Sequence, residues 1–417
     1  MTLNFFVQHK RFLAFGFLAA VFSSFGQTFF IALSGGEIRA AFHLSHGDFG
    51  LLYAIGTTSS AVLLIWLGRK IDDVDLRVFT ACVIVGLGAA CIGMAHVIGP
   101  ITLVLAIFAL RLTGQGLMSH IAFVSMGRYF DAHRGKAVSV ASMGFPAGEA
   151  VFPIIVVAII TTIGWQDMWL ALGAIILCGL FPLLMWLLRG HHHRHAALVE
   201  ENQTTLGRSV LSGWTRGQVL RDPKFYVLIP TVLAMPFIGT GVFFHQVHLV
   251  TEKGWGLAVF ASFFVIFAGV QMGAAIASGV AVDRWGATKL VRLFLLPASA
   301  GLLILSQSDA PIAGAIFMAL FGLSGGAATV TGGAIWAELY GVVHLGAIKA
   351  LVWALMVFAS ALSPPMMGVA IDHGIRMDTI ALMSAIFLLG ATILAGTALP
   401  RLLARHRIDG PGENGPQ

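Results

Sequence analysis

Apolar residues run along this chain in blocks of span length, each cut off by a short polar stretch. A helix rises 1.5 Å per residue, so about 20 apolar residues cross the roughly 30 Å hydrocarbon core of a bilayer. Read between the polar breaks, the pattern predicts helices over 12–34, 49–68, 77–97, 100–127, 137–163 and 166–188. After a long polar segment, six more follow over 225–249, 256–282, 287–306, 310–336, 346–371 and 378–400. The fold class expected is an all-α membrane protein with twelve transmembrane helices in two pseudo-symmetric six-helix bundles. The chain then divides into an N-terminal half (1–188), a cytoplasmic linker (189–224), a C-terminal half (225–400) and a tail (401–417) expected to be disordered.

Composition removes the main alternative. The 417 residues are 58% hydrophobic and 11% charged, against about 25% charged in soluble proteins, too few to cover a water-facing surface. The net charge of +6 is explained by where the cations fall. With the N-terminus inside, 21 of the 25 Lys and Arg residues lie in cytoplasmic segments. Only three, Arg39, Lys253 and Arg376, fall outside, and Arg111 lies within a span. The positive-inside rule therefore predicts a multi-pass protein of the bacterial inner (plasma) membrane with both termini cytoplasmic. No basic stripe interleaves with aromatics, which argues against nucleic acid as a partner. The N-terminal MTLNFFVQHKRF has no small-residue cleavage site and leads into a run of span length, so it reads as a retained first helix. Cys82, Cys91 and Cys178 all sit in apolar runs and read as small buried hydrophobes; no disulfide framework, metal-ligand spacing or cofactor site is visible. His191, His192, His193 and His195 in the linker are compatible with a metal, but a solvated basic loop is the favoured reading.

Sliding the chain over itself by 211 residues aligns Gly68 with Gly279, Asp72 with Asp283, Gly114 with Gly325, Tyr129 with Tyr340, His133 with His344, Gly135 with Gly346 and Pro153 with Pro364. The matches are mostly loop, Gly and Pro positions, the residues that fix backbone shape. Two similar halves are the mark of secondary transporters, which bind substrate near the midplane between repeats.

The loop after the second span reads Gly68-Arg-Lys-Ile-Asp72-Asp73-Val-Asp75-Leu-Arg77, and the loop after the eighth reads Gly279-Val-Ala-Val-Asp283-Arg284-Trp-Gly286. Both resemble the G-x-x-x-D-R/K-x-G-R-R/K loop of the major facilitator superfamily, and the resemblance covers essentially the whole chain. It implies twelve helices, alternating access, and a conformational latch carried by Gly68, Asp72, Arg77, Gly279, Asp283 and Arg284. The first copy departs from the pattern at Asp73 and Asp75, so the second is expected to matter more. An ordinary tight turn is the alternative for either loop. Arg111-Leu-Thr-Gly114 is similar to the family's fourth-span R-x-x-x-G element. Phe145-Pro146-Ala147-Gly148-Glu149 is similar to its fifth-span antiporter motif, with Glu149 where that motif has glycine. The stretch from His245 through Gly254-Trp255 is distantly similar to bacterial monocarboxylate-type carriers, although no Asp or Arg stands in the eighth span before Asp283.

Charges within the bilayer are costly and mark function by default. Arg111 and Glu149 are expected at similar depth, as a coupled pair or as a purely structural one. Gln27, Gln271 and His245 join Arg111 as candidate substrate contacts; for a lone Gln an interhelical hydrogen bond is the commoner role. The leading reading is a proton-coupled symporter of a small carboxylate or other anion, with Arg111 gripping the anion and Glu149 carrying the proton. A proton or other coupling ion, the solute and the lipid bilayer are the partners, and a monomer is expected. The alternatives are a proton-coupled drug or metabolite efflux antiporter and a non-transporting membrane sensor. Nothing in the spans suggests an enzyme: no Ser/His/Asp set and no phosphate-binding loop is present.

Overall fold

A computed structural model describes residues 2–130, 133–190 and 214–408, the side chains of 2–4, Asp72, Arg134 and 404–408 excepted. The His191–His195 run, most of the linker and the end of the tail lie outside the described residues. No strand occurs among the described residues. Lipid offers backbone groups no hydrogen bonds, so each spanning segment satisfies its own.

The first span, α1, is Thr2–Phe22, followed by α2 (His46–Leu67), α3 (Leu76–Ala95) and α4 (Pro100–Tyr129). One helical run, Gly135–Leu187, is 53 residues long and breaks at Gly164, where φ is +83°. It therefore counts as two spans, α5 (135–163) and α6 (165–187). Then come α7 (Pro223–Phe244) and α8 (Leu257–Trp285), the short apolar α9 (Leu296–Gln307), α10 (Pro311–Tyr340), α11 (Leu345–Asp372) and α12 (Met377–Ile408). The described residues thus hold twelve apolar helices.

Three expected boundaries shift. The first predicted helix, 12–34, ends at Phe22 and continues as short 3₁₀ and α turns around an extended Gln27 (φ −80°, ψ 153°). Ser23, Ser24 and Gly26 are weak helix formers, and α4 presses against the chain here. The predicted 225–249 helix breaks at His245, beyond which a separate turn covers Gln246–Glu252. The predicted 287–306 helix splits into a turn, Ala287–Leu290, and α9, which opens with Pro297 in its first turn.

The chain forms two compact units. One comprises Met1–Ser209 with Val242–Ala268 and Ala361–Gly374. In it, α5 lies against α1 through small residues: a Cβ on Gly148 would collide with the Ser24 hydroxyl, and one on Gly144 with the Phe17 carbonyl. Such small faces are how helices associate where lipid supplies no hydrophobic drive. The other unit comprises Val210–Gly241, Gly269–Ser360 and Ile375–Gln417. There α9 is tied to both neighbours. The free Ala298 N–H at its start donates to Ser324 of α10 at 2.8 Å, and Ser299 donates to the Ala385 carbonyl of α12 at 2.9 Å.

Candidate functional site

In the first unit, α4 changes its winding at Arg111. Residues Arg111–Met118 form a π-helix, a feature that concentrates at functional sites. The cause is visible in the packing. Gly114 and Gly26 meet backbone to backbone, and a Cβ on Gly26 would collide with the Leu110 carbonyl and the Gln115 amide. The break in α1 and the bulge in α4 are two sides of one close crossing.

Arg111 sits at the start of that bulge and is only 3% exposed. Its Nη1 donates to the Gly26 carbonyl at 3.1 Å, and its guanidinium lies 5.3 Å from the centre of the Tyr53 ring. Its Nε is buried without a partner. Tyr53 of α2 is fully buried and shares a 2.6 Å hydrogen bond with Thr28 Oγ1. Phe244 packs on Tyr53 at 4.7 Å and on Phe49 at 4.8 Å. Gln246 Nε2 donates to the Phe29 carbonyl at 2.7 Å, while its Oε1 is buried and unpartnered.

Glu149 follows Gly148 on α5, and its Oε2 is likewise buried without a partner. No ion pair joins it to Arg111 among the described residues. The expected pair does not form here, because similar depth does not fix which faces of two helices meet. Arg111 turns to α1 and α2 and leaves Glu149 alone.

The remaining expected contacts scatter. Gln27 is half-buried in the extended break of α1. His245 packs on Phe244 at 5.0 Å, and its Nε2–H donates to the Pro364 carbonyl at 3.0 Å. Gln271 belongs to the second unit. There its backbone abuts Gly326, and its Oε1 is buried without a partner. Trp336 is core, stacked against Tyr340 at 6.3 Å. Tyr53, Thr28 and Gln246 are the polar groups the sequence reading missed. Tyrosine occurs only four times in the chain, and that rarity within an apolar span was the available signal.

The two loops expected to act as latches differ. After α2, His120 Nε2 donates to the Gly68 carbonyl at 2.8 Å, and Arg128 to the Ile71 carbonyl at 3.3 Å. Asp75 caps α3 by accepting from Arg77 N–H at 2.8 Å. The Asp72 side chain lies outside the described residues. After α8, Gly286 takes φ +83°. Glu338 of α10 accepts from the Ala287 and Thr288 N–H groups at 2.6 and 3.4 Å, and from the Thr288 hydroxyl at 2.6 Å. Asp283 and Arg284 are exposed.

A family model described as Major Facilitator Superfamily matches residues 16–364. Among curated proteins, an uncharacterized 38 kDa protein in the 23S RNA operon of Thermoproteus tenax is 28% identical over 239 residues, covering 57% of this chain and 55% of the relative. The match thus spans about half the length of that relative. Among solved structures, a bacterial homologue of the human lysosomal transporter Spinster, inward-facing and unoccupied, aligns with TM-score 0.71 at 14% identity over 97% of this chain and 99% of that one. The same homologue in its occupied form aligns equally well, over 96% and 98%. At that identity the likeness speaks for the fold alone.

Proposed function

Because this chain belongs to the Major Facilitator Superfamily, and so is a multi-pass membrane transporter rather than an enzyme, we propose that it is a proton-coupled symporter of a small organic anion. One observation carries the reading: Arg111 is a buried guanidinium with no carboxylate paired to it among the described residues. A carbonyl and an aromatic face reduce the cost of the charge without neutralising it. An anionic solute supplies the missing charge and takes the bidentate geometry that guanidinium offers. Glu149 is the complementary element. Its Oε2 is buried without a partner, and an intramembrane carboxyl marks a proton path, so it is assigned the proton, bound in one state and yielded in another. Alternating access exchanges those states. The 21-to-3 distribution of cations supports cytoplasmic termini in a bacterial plasma membrane.

Thermal shift of the purified protein against panels of metabolite anions and cations tests the charge class. A stabilising ligand at a hundred times its Kd adds about 2.7 kcal/mol. Anions are expected to raise Tm in the parent and in Glu149→Gln, and to lose the effect in Arg111→Gln. In proteoliposomes, Glu149→Gln is expected to carry solute without pH dependence. Stabilisation by cations alone, retained in Arg111→Gln, would favour the efflux antiporter and end the anion reading.

A further inference from the structure

The first unit closes at the end distal to the N-terminus by a contact that no transport motif announces. Asp372, the last residue of α11, lays both carboxylate oxygens across the start of α2. Oδ1 accepts from the His46 N–H at 2.9 Å and Oδ2 from the Gly47 N–H at 2.7 Å. These N–H groups have no partner within their own helix, and the positive end of the helix dipole favours the charge. Glycine lets the two backbones touch. Gly50 abuts the Pro364–Pro365 peptide, and a Cβ on Gly368 would collide with the His46 carbonyl.

Two histidines are pressed together beside this cap. The His46 and His248 rings are 4.3 Å apart, edge to face. His245 lies 5.6 Å from His46, pinned to Pro364. The charged groups facing them are few. Arg39, on the short helix Gly35–Phe42, acts on both and on Asp372. Asp372 itself comes from α11, and Glu252 lies 3.8 Å from His248 Nε2. Burial holds His248 below the ordinary histidine range; Glu252 and Asp372 oppose that and Arg39 reinforces it.

We propose that the Asp372 cap and the His46–His248 pair form an acid-released latch on the distal end of the transporter. With both rings neutral, the contact carries one cation, Arg39, and two carboxylates, Asp372 and Glu252. Protonating both rings sets two like charges side by side, one of them on the first residue of a helix, where a cation is disfavoured. Separation of α2 from α11 and the Gln246–Glu252 turn relieves this and returns each ring to water. The sign follows: a histidine that must stay neutral when closed stabilises the closed form above its ordinary pKa of about 6.5, and that stabilisation is lost as pH falls below it. Between pH 7.5 and 5 each such ring shifts the equilibrium toward opening by up to about 30-fold. Its physiological sense, opening to an acidic exterior, rests on the proposed orientation and transport; the latch itself does not.

Spin labels on Ala41→Cys and His373→Cys, with Cys82, Cys91 and Cys178 replaced by Ala, report the opening by pulsed electron resonance in lipid nanodiscs without any solute. The expected result is a single short distance at pH 7.5 and an added longer population at pH 5. The His46→Gln/His248→Gln protein should stay short at both pH values. Asp372→Asn should show the longer population already at pH 7.5. An identical distance distribution at the two pH values, or an acid shift that survives in the double Gln protein, overturns the proposal, as does an Asp372→Asn protein closed like its parent. If the distances respond to acid while vesicles carry no solute, the transport reading fails and the latch stands.

Discussion

The α2–α3 and α8–α9 loops occupy equivalent places in a repeat of 211 residues, yet opposite charges hold them. At the first, cationic or donating groups of α4 reach carbonyls at the end of a helix: His120 on Gly68 and Arg128 on Ile71. At the second, a carboxylate of α10 reaches N–H groups at the start of one: Glu338 on Ala287 and Thr288. Both choices suit the local dipole, with donors at a helix C-terminus and an anion at an N-terminus. The repeat conserves the task of tying the loop to the fourth helix of its half. It does not conserve which helix end is tied, so the chemistry inverts.

The largest effect should come from forcing the first solution onto the second loop. Glu338→Lys removes three hydrogen bonds and sets an ammonium at a helix N-terminus, a loss of about 2 kcal/mol after allowance for its exposure. Thermal unfolding of the purified protein reads this as a lowered Tm. An unchanged Tm would mean that the cap contributes nothing and that the two loops are not held by different means.

Next comes the first loop. His120 is half-buried, and removing its ring in His120→Ala leaves the Gly68 carbonyl short of a partner, a cost of about 1 kcal/mol. His120→Gln keeps a donor on a side chain of similar reach and should recover part of the loss in the same measurement. Glu338→Gln is milder still: one acceptor oxygen remains, while the charge and the second acceptor are lost, at this exposed site typically under about 1 kcal/mol. If Glu338→Gln lowered Tm more than His120→Ala, the cap would depend on charge far more than an exposed site allows.

The twelve spans were legible because bilayer thickness dictates the length of an apolar run, and no tertiary contact alters that requirement. The breaks within them were not. The chain leaves α1 at Phe22 and turns where Gly26 comes within backbone contact of Gly114 of α4, a residue that no window of sequence around residue 26 contains. Arg111 and Glu149 stood out as intramembrane charges, but depth along two helices says nothing of their facing sides, and the structure leaves them unpaired. The loop motif drew attention to Asp283 and Arg284, while the group that holds that loop lies 51 residues from Ala287. Asp372 lies 326 residues from His46 and belongs to no repeat match.

The smallest stability effect is the sharpest test of the comparison. Asp283 is exposed, so Asp283→Asn should leave Tm within the change of about 0.5 kcal/mol usual for a surface site. A side chain biases a conformational equilibrium only by its differential contacts in the two states. If Asp283 engages its partner in another state of the cycle, its loss there slows turnover by about tenfold for each 1.4 kcal/mol removed and leaves solute affinity nearly unchanged. Glu338, whose contacts stay within one unit of the molecule, should behave in the opposite way. Measured in one proteoliposome preparation, Asp283→Asn is expected to keep its Tm and lose rate, and Glu338→Gln to lose Tm and keep rate within about twofold. A lowered Tm in Asp283→Asn would show that its carboxylate already has a partner in this state. A normal rate would remove the latch role from the loop altogether, leaving Glu338 and the ordinary rules of helix capping as the full account of that segment.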